Sequence, residues 1–237
     1  MLQECYTGFK TYLLFSVWRL QAALLSILES FNSLVVFSLK ILYNQREERT
    51  RDDMAILKIY TDGACSGNQN KENIGGWGAI LEYGSHKKEL YGGELNTTNN
   101  RKEMMALLKA FEAIKIEGQT IWAFSDSSYL MNGFRDKWYV KWLKNGWKTS
   151  GKKDVENKDL WMALLPYLDR HDIRFFRVKG HVDLDSPRTN MDQLYEKFIE
   201  WNGPGFTMED FRYVTEMNNR ADQLANQWKA DREAEEK

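Results

Sequence analysis

Four acidic residues stand at the ends of predicted strands or near the starts of predicted helices: Asp62, Glu103, Asp126 and Asp222. Asp62 and Asp126 each end an apolar run, at 54–61 and 120–124, that predicts a buried strand. Because a helix is predicted between these strands, we expect them to pair in parallel and to bring both aspartates to one edge of the sheet. Glu103 lies in the first turn of that helix and Asp222 near the start of the last one, so all four acids can meet there.

Each acid alone has a structural explanation. Asp62 precedes Gly63, which is typical of a turn, and Glu103 follows Thr98 closely enough to be read as a capping-box glutamate. Four carboxylates at close range, however, would repel one another strongly. Divalent cations remove that cost, and Mg²⁺ suits carboxylate and water ligands. Two such ions about 4 Å apart can stabilise a phosphoryl transfer, so we expect two Mg²⁺ ions here, with Mn²⁺ as a possible substitute.

Three further strands complete the predicted sheet. The runs 75–83 and 88–94, joined at Gly84, predict an antiparallel meander with the first strand. The run 173–178 predicts a fifth strand, and it leads into Lys179, Gly180 and His181. A histidine that follows a glycine at a strand end is placed to be exposed, where it can exchange protons near neutral pH. The residues therefore predict an α/β protein with a mixed sheet.

Apolar residues at helical spacing predict a helix after Thr98, Asn99 and Asn100, which are helix-capping residue types. Its predicted buried face consists of Met104, Leu107, Leu108, Phe111 and Ile114. Further helices are predicted at 157–168, 192–201 and 218–228. In the last of them Asp222 lies beside the buried stripe rather than opposite it.

Residues 134–153 form a basic and aromatic block. Trp138 and Trp142 are four residues apart and share a helix face. The basic residues interleaved with them are Arg135, Lys137, Lys141, Lys144, Lys148, Lys152 and Lys153. One interpretation is an amphipathic helix with a tryptophan core and a solvated lysine face. The other is a nucleic-acid-binding surface, in which lysines neutralise phosphates and aromatic rings meet sugars or bases.

Length and composition are those of a globular protein. The chain has 237 residues, of which 43% are hydrophobic and 28% charged, enough for one domain with a sizeable core. Its net charge of −1 gives no indication of an anionic partner. The two cysteines, Cys5 and Cys65, lack the spacing of a disulfide framework or a metal site, so we expect a reducing, cytoplasmic location.

Residues 1–53 differ from the rest, and we divide the chain into this N-terminal extension and a domain at 54–237. The stretch 12–43 is apolar but interrupted by polar residues, and its longest uncharged run, 30–39, is too short to span a membrane. The pattern is compatible with one or two amphipathic helices or with an interfacial helix, although membrane contact is not favoured. The alternative is that translation starts at Met54 and that 1–53 is upstream sequence read in frame.

Five motifs follow one another in the order found in type 1 ribonuclease H, which the sequence resembles. They are Thr61-Asp-Gly-Ala-Cys-Ser-Gly-Asn68, Thr97-Thr-Asn-Asn-Arg-Lys-Glu103, Ser125-Asp-Ser127, Val178-Lys-Gly-His181 and Asn219-Arg-Ala-Asp-Gln-Leu-Ala225. The resemblance covers about 54–228 and is closest to bacterial or phage-like enzymes. It implies a ribonuclease H-like fold, a five-stranded mixed sheet with helices on both faces. It also implies endonucleolytic cleavage of the RNA strand of an RNA–DNA hybrid, leaving 5′-phosphate and 3′-hydroxyl ends.

The resemblance also implies roles for single residues. The metal ions would be carried by Asp62, Glu103, Asp126 and Asp222, and His181 would assist proton transfer or product departure. Three residues match a pocket that grips a DNA phosphate: Asn68, Thr98 and Asn157. Three others match residues that lie against the minor groove, where 2′-hydroxyls distinguish RNA from DNA: Cys65, Asn99 and Asn100. Part of the basic block matches the surface that binds the DNA strand in bacterial members: Trp138, Lys141, Trp142 and Lys144.

The chain also departs from the family pattern. His181 and Asp222 are farther apart than in many bacterial members because of an insertion at about 183–217, and Ser128 stands where many members have a glutamine. Two other classes are considered, a hybrid-binding module without activity and a related nuclease such as a resolvase or integrase core. The four acids argue against the first, and the run 97–100 with the basic block argues against the second. We expect a monomer that needs no protein partner.

Overall fold

Strand β1 (Ile56–Ser66) forms the middle of a five-stranded sheet in the computed structural model, which describes residues 56–66 and 73–235. The other strands are β2 (Ile74–Tyr83), β3 (His86–Leu95), β4 (Thr120–Ser125) and β5 (Asp172–Arg177). Their order across the sheet is β3-β2-β1-β4-β5. All described residues belong to the unit Met54–Lys237.

The pairing of the strands is mixed, as the sequence predicted. Strands β1, β2 and β3 form an antiparallel meander, whereas β4 pairs in parallel with β1 and β5 in parallel with β4. The predicted fold class is therefore confirmed. The predicted turn at Gly63 is wrong, because β1 continues to Ser66 by pairing with the first residues of β2, with Gly63 opposite Trp77.

Seven helices lie in the described part of the chain. They are α1 (Asn99–Glu112), α2 (Ser128–Arg135), α3 (Trp138–Lys144), α4 (Lys158–Leu164), α5 (Pro166–Arg170), α6 (Met191–Asn202) and α7 (Met208–Glu235). The predicted helix at 157–168 is divided in two, because Pro166 lacks an N–H group and occupies the start of α5. The predicted separate helix at 218–228 is wrong. Those residues lie inside α7, so Asp222 is well within a helix rather than near its beginning.

One face of the sheet is covered by helices α1 to α5. Helix α1 buries Met104, Leu107 and Phe111 completely, on the face that its 3.6-residue periodicity predicted. Trp161 of α4 is fully buried in the same cluster, which also includes Ile59 of β1. Burial of each such side chain stabilises the fold by roughly 1.5–3 kcal/mol relative to exposure. This packing holds the start of α1 against the middle of the sheet.

The opposite face is covered by α6 and α7 through a cluster of aromatic rings. Phe124 of β4 and Phe176 of β5 stack with their centroids 5.1 Å apart. Phe206 meets the Phe176 ring edge-on at 5.1 Å, and Phe198 of α6 packs against Phe206 at the same distance. Phe211, in the first turn of α7, is buried in the same cluster. The 183–217 segment thus contributes to the core of the domain as well as to its surface.

Some predictions concern residues outside the described ranges. They are the alternatives for residues 1–53, including membrane contact through 12–43, and the role of Asn68. Within the ranges 56–66 and 73–235, no helix combines the length and the apolar character that are needed to cross a bilayer.

Candidate active site

Asp62 and Asp126 are neighbours across the two central parallel strands. The parallel register of β1 and β4 ends at the pair Thr61 and Ser125, and each aspartate is the residue that follows its member of this pair. Asp62 is 3% exposed, and its Oδ1 atom accepts a hydrogen bond of 2.6 Å from the backbone N–H of Gly63. The structure therefore brings the two acids to one edge of the sheet, as the strand pattern predicted.

Glu103 reaches the same edge from α1. The Oγ atom of Ser127 donates a hydrogen bond to its Oε2 atom. The cap of α1 is Thr98, whose hydroxyl accepts a hydrogen bond from the backbone N–H of Arg101, so Arg101 occupies the position that a capping-box glutamate needs. The capping-box explanation of Glu103 is therefore wrong. Its predicted place in the first turn is also wrong, because α1 begins at Asn99 and Glu103 follows that turn.

Gly63 allows α1 to approach β1 closely. A Cβ atom at this position would lie 2.5 Å from the backbone nitrogen of Glu103 and 2.7 Å from the carbonyl carbon of Lys102. Any side chain at Gly63 would therefore push the first turns of α1 away from the strand. The glycine serves this close approach rather than the predicted turn, and it fixes the position of Glu103 relative to Asp62.

Asp222 is brought to the site by the middle of α7. This helix lies directly on β2, where a Cβ atom on Gly78 would collide with the backbone oxygen of Ala221. Ala221 and Leu224 are buried against the sheet, while Asp222 itself stays partly exposed. Gly78 and Ala221 thus set the distance between helix and sheet and hold Asp222 near the other acids.

His181 lies at the opening of the site on the loop after β5. Its backbone adopts the left-handed conformation, with φ of 54°, and its side chain is 75% exposed. Nδ1 of His181 is 3.7 Å from Oδ2 of Asp222. The preceding residue must be small, because a Cβ atom on Gly180 would collide with Oδ2 of Asp126. His181 is therefore exposed, as the sequence predicted, and lies beside two of the four acids.

Three of the four acids, Asp62, Glu103 and Asp126, have raised pKa values because they are buried close to other carboxylates. Burial first, and then the charges of Asp126, Asp222 and Glu103, raise the pKa of Asp62 to about 9, against the hydrogen bond from Gly63. Burial also raises the pKa of Glu103 to about 7, against the hydrogen bond from Ser127. Burial raises the pKa of Asp126 as well, although the charge of His181 opposes it. Each shift shows that a negative charge here is costly.

The same site has hydrogen-bonding capacity that the protein does not use. Oδ2 of Asp62 and Oδ1 of Asp126 are buried and accept no hydrogen bond. Buried carboxylate oxygens without a partner are unfavourable unless a cation neutralises them. Within the described ranges, no three groups from His, Cys, Asp or Glu stand close enough to hold one ion between them. Mg²⁺ fits this arrangement, because it usually binds through one or two carboxylates and completes its shell with water and phosphate oxygens.

The candidate substrate residues gather around the start of α1. The Cys65 thiol donates to Oδ1 of Asn73 at 3.3 Å and lies 3.5 Å from the backbone oxygen of Thr97. Thr98, Asn99 and Asn100 follow directly, with Thr98 and Asn99 exposed. The last candidate, Asn157, precedes α4 with a left-handed φ of 54°. Cys65 and the run 98–100 are therefore brought to one surface.

This surface is held by a network of charged residues that the sequence did not predict. Arg101 makes two hydrogen bonds to the carboxylate of Asp159 in α4, at 3.0 and 2.6 Å, which ties the start of α4 to the start of α1. Glu94 pairs with Arg101 at 3.3 Å and with the fully buried Lys102 at 2.8 Å. Burial lowers the pKa of Lys102, while its ion pair with Glu94 opposes that shift. The pair of Arg101 and Asp159 joins residues 58 apart in the chain, and the pairs of Glu94 cross from β3 to α1, so no helical or strand spacing in the sequence indicates them.

The basic and aromatic block separates into a core and a charged surface. The Trp142 ring packs edge-on against Trp161 with centroids 5.4 Å apart, and Trp138 packs against Trp142 at 6.2 Å. Lys141 and Lys144 lie on the exposed side of the same helix. The tryptophans thus anchor α3 to the domain, and the two lysines are accessible to a binding partner from solvent.

The order of the strands and the four acids at one edge of the sheet define the class of protein. It is an α/β nuclease fold that carries carboxylates at the ends of its central parallel strands. The RNase H family model matches residues 54–199. The chain therefore belongs to the RNase H family of enzymes. The matched range includes Asp62, Glu103, Asp126 and His181, and it ends before Asp222.

Two curated relatives illustrate the similarity in sequence. A ribonuclease H of Syntrophomonas wolfei is 52% identical over 147 residues, which are 62% of this chain and 98% of the relative. A ribonuclease H of Acetivibrio thermocellus is 52% identical over 130 residues, which are 55% of this chain and 86% of the relative. Among solved structures, the protease–reverse transcriptase of prototype foamy virus matches with a TM-score of 0.51 and 22% identity, over 73% of this chain and 20% of that one. That last likeness concerns the fold alone.

Proposed function

We propose that the chain is an endonuclease that hydrolyses the RNA strand of RNA–DNA hybrids and leaves 5′-phosphate and 3′-hydroxyl ends. The observation that supports it most strongly is the convergence of Asp62, Glu103, Asp126 and Asp222 from four separate elements on one edge of the sheet. A structural role does not explain this convergence, because the gathered charges destabilise the fold when nothing neutralises them.

The four acids would hold two Mg²⁺ ions, with Mn²⁺ as a substitute. When bound, such ions neutralise the charge on a phosphodiester and stabilise both the attacking and the leaving oxygen of its hydrolysis. The unpartnered Oδ2 of Asp62 and Oδ1 of Asp126 are the atoms best suited to this task. Ser127 positions Glu103 through its hydroxyl, and the N–H of Gly63 fixes the Asp62 carboxylate by its other oxygen.

His181 would move a proton or assist departure of the product. Its exposed side chain lies at the opening of the site, where an imidazole can exchange a proton with water. Because it stands on a loop rather than on a strand or helix, it can follow the substrate through small changes in loop conformation. Its proximity to Asp222 and Asp126 keeps it within the field of the acids.

The substrate would be held on two surfaces beside the acids. Around the start of α1, Cys65, Asn99 and Asn100 would lie against the minor groove of the hybrid, where the 2′-hydroxyls identify the RNA strand. Three residues would grip a phosphate of the DNA strand: Asn68, Thr98 and Asn157. On α3, Lys141 and Lys144 would attract further DNA phosphates, with Trp138 and Trp142 supporting the helix. Contacts of this kind read duplex shape rather than base sequence.

We also propose that the enzyme works as a monomer in the cytoplasm. All four acids and His181 come from one chain, so the site is complete without a second copy. The low cysteine content suits a reducing compartment.

The decisive experiment measures cleavage of three labelled duplexes, an RNA–DNA hybrid, duplex RNA and duplex DNA, each in Mg²⁺ and in chelator. We expect the hybrid alone to be cut, only with the cation, and only in the RNA strand. Asp62→Asn should abolish cutting but keep hybrid binding, whereas the exposed Asp136→Asn serves as a matched control. Binding without cutting by the parent protein would favour a hybrid-binding module, and preferred cutting of duplex DNA would favour a resolvase-like nuclease.

A further inference from the structure

A cleft of about 380 Å³ opens beside Asp126, between the loop that carries His181 and helix α6. Arg177, at the end of β5, and Lys179 line one side, and Lys197 and Trp201 of α6 line the other. Its volume lies in the range of about 300–1,000 Å³ that is usual for ligand sites. None of the residues proposed above to bind the DNA strand lines this cleft.

The cleft carries a concentrated positive charge. The Arg177 guanidinium lies 4.3 Å from the centre of the Trp201 ring, and the Lys197 ammonium lies 5.6 Å from it. Such cation–π contacts orient flexible cations at low cost. Nε of Arg177 is buried and makes no hydrogen bond. Asp126 is the one acid among the residues that line the cleft, so an anionic ligand is expected there.

The wall formed by α6 is fixed rather than loosely attached. Asn202 pairs with the backbone of Arg177 on the edge strand β5, accepting from its N–H at 2.9 Å and donating to its carbonyl oxygen at 2.8 Å. Arg135 of α2 donates to the backbone oxygen of Trp201, the residue before Asn202. These contacts preorganise the cations, so little ordering entropy is lost when a ligand binds.

We propose that this cleft binds a phosphate of the RNA strand next to the linkage that is cut, through Arg177, Lys179 and Lys197. The inference rests on the proposed function, since the acids are taken to mark the position of the cut. The cleft shares Asp126 and His181 with the active site, so a strand whose phosphate meets the acids passes its opening. These three cations would thereby align the RNA strand from the side opposite to the residues that are proposed to bind the DNA strand.

The first test is the kinetics of hybrid cleavage by Lys197→Gln and Arg177→Gln. Loss of one phosphate contact should raise KM about 5- to 20-fold, change kcat less than about twofold, and lower the salt slope of binding by about one. Lys115→Gln is the matched control, because Lys115 is exposed and precedes β4 at the opposite end of the sheet from Asp126. Lys197 is exposed, so we expect Lys197→Gln to fold normally, and this variant decides the outcome if Arg177→Gln melts early. An unchanged KM for Lys197→Gln would overturn the proposal.

The second test removes the charge from the substrate instead. Hybrids with a single uncharged methylphosphonate linkage in the RNA strand are scanned one linkage at a time around the cut. The Asp62→Asn protein should bind one such hybrid about 5- to 20-fold more weakly than the unmodified hybrid. Adding Lys197→Gln should weaken binding to that hybrid no further, as expected for directly interacting groups. If the methylphosphonate and Lys197→Gln weakened binding additively at every linkage, the proposed phosphate subsite would be wrong.

Binding in this second test is measured by fluorescence anisotropy in Mg²⁺ with the Asp62→Asn background, which is expected not to cut. The subsite is therefore tested separately from catalysis. If the parent protein fails to cut hybrids but the coupling to Lys197 is present, the proposed function fails and the phosphate site stands. If cutting is normal and the coupling is absent, the subsite alone fails.

Discussion

Nδ1 of His181 lies 3.7 Å from Oδ2 of Asp222, although the whole 183–217 segment separates them in sequence. The segment leaves the active-site edge, packs Phe198, Phe206 and Phe211 under the sheet, and returns as the first turns of α7. Asn219 then donates to the backbone oxygen of Val182 at 2.7 Å, which ties α7 to the histidine loop. The long connection therefore returns to the loop from which it started, and this return keeps His181 and Asp222 together.

The first prediction concerns His181. We expect His181→Ala to lower kcat about 100-fold and to leave KM within about twofold, because a positioned proton carrier contributes to the reaction step rather than to substrate binding. The variant should fold normally, since the side chain is exposed. The measurement is steady-state and single-turnover cleavage of a labelled hybrid. The control is His86→Ala, because His86 is also exposed and lies at the start of β3; it should retain full activity, and an equal loss in both variants would contradict the assignment.

The second prediction concerns the stability of the metal-free protein at different pH values. Burial first, then Asp126, Asp222 and Glu103, raise the pKa of Asp62 to about 9, well above its ordinary value of 3.8. The folded state therefore retains this proton where the unfolded state has lost it, so stability is fully present below about pH 4 and is lost as pH rises towards 9. Glu103, with a pKa of about 7, adds to the loss in the same direction.

Asp62→Asn removes the largest of these effects. In chelator at pH 9 we expect the variant to be about 1–3 kcal/mol more stable than the parent protein, a rise in Tm of several degrees, with little difference near pH 4. Asp136→Asn, at an exposed position, should follow the parent curve. Parallel curves of Tm against pH for Asp62→Asn and the parent across this range would show that folding does not raise the pKa of Asp62.

The third prediction concerns the addition of Mg²⁺ to the same proteins. A cation that binds only the folded state at 100 times its Kd should add about 2.7 kcal/mol to the free energy of unfolding. We expect this gain in the parent protein and a much smaller one in Asp62→Asn, which has one charged ligand fewer. Thermal melting at pH 8 with increasing Mg²⁺ measures it, with Na⁺ at matched ionic strength as the control. Equal gains in both proteins would place the cation elsewhere.

Much of the fold could be predicted because its signals are local. The apolar runs behind β1 and β4 predict buried strands, the run 173–178 predicts the fifth strand, and the Gly84 turn sets the β2–β3 hairpin. The periodicity of α1 predicts its buried face, since Met104, Leu107 and Phe111 recur at helical spacing. Parallel pairing then follows from the crossover rule, and with it the meeting of Asp62 and Asp126.

The features that escaped prediction depend on contacts between distant residues. β1 continues past Asp62 although Gly63 is a poor strand residue, because β2 pairs with it and α1 packs on it. The helix α7 is continuous because the sheet and α6 bury its inner face, whereas its own residues are largely polar. The ion pair between Arg101 and Asp159 joins two helices that no sequence period connects.

The fourth prediction tests the close approach of α1 to β1. Gly63→Ala places a methyl group against the backbone of Lys102 and Glu103, so we expect a loss of about 1–3 kcal/mol in stability and a fall in kcat as Glu103 moves. Chemical denaturation and hybrid cleavage measure the two effects. Gly151→Ala is the control, because the nearest atom to its new methyl group is 3.9 Å away. Unchanged stability and kcat in Gly63→Ala would mean that the helix can shift without disturbing the acids.

The last prediction separates the lysines of the basic block by what they already contact. Lys148 pairs with Asp154 at 2.6 Å, whereas Lys141 and Lys144 lie exposed on α3. An ammonium that must leave an ion pair gains less from a phosphate than a free one, so the two α3 lysines should carry most of the binding. We expect Lys141→Ala with Lys144→Ala to raise KM for the hybrid about tenfold at low salt with kcat nearly unchanged, and Lys148→Ala to raise it less than about threefold. Both effects should fade as salt increases, and a larger effect from Lys148 would mean that Asp154 positions that lysine for the substrate rather than competing with it.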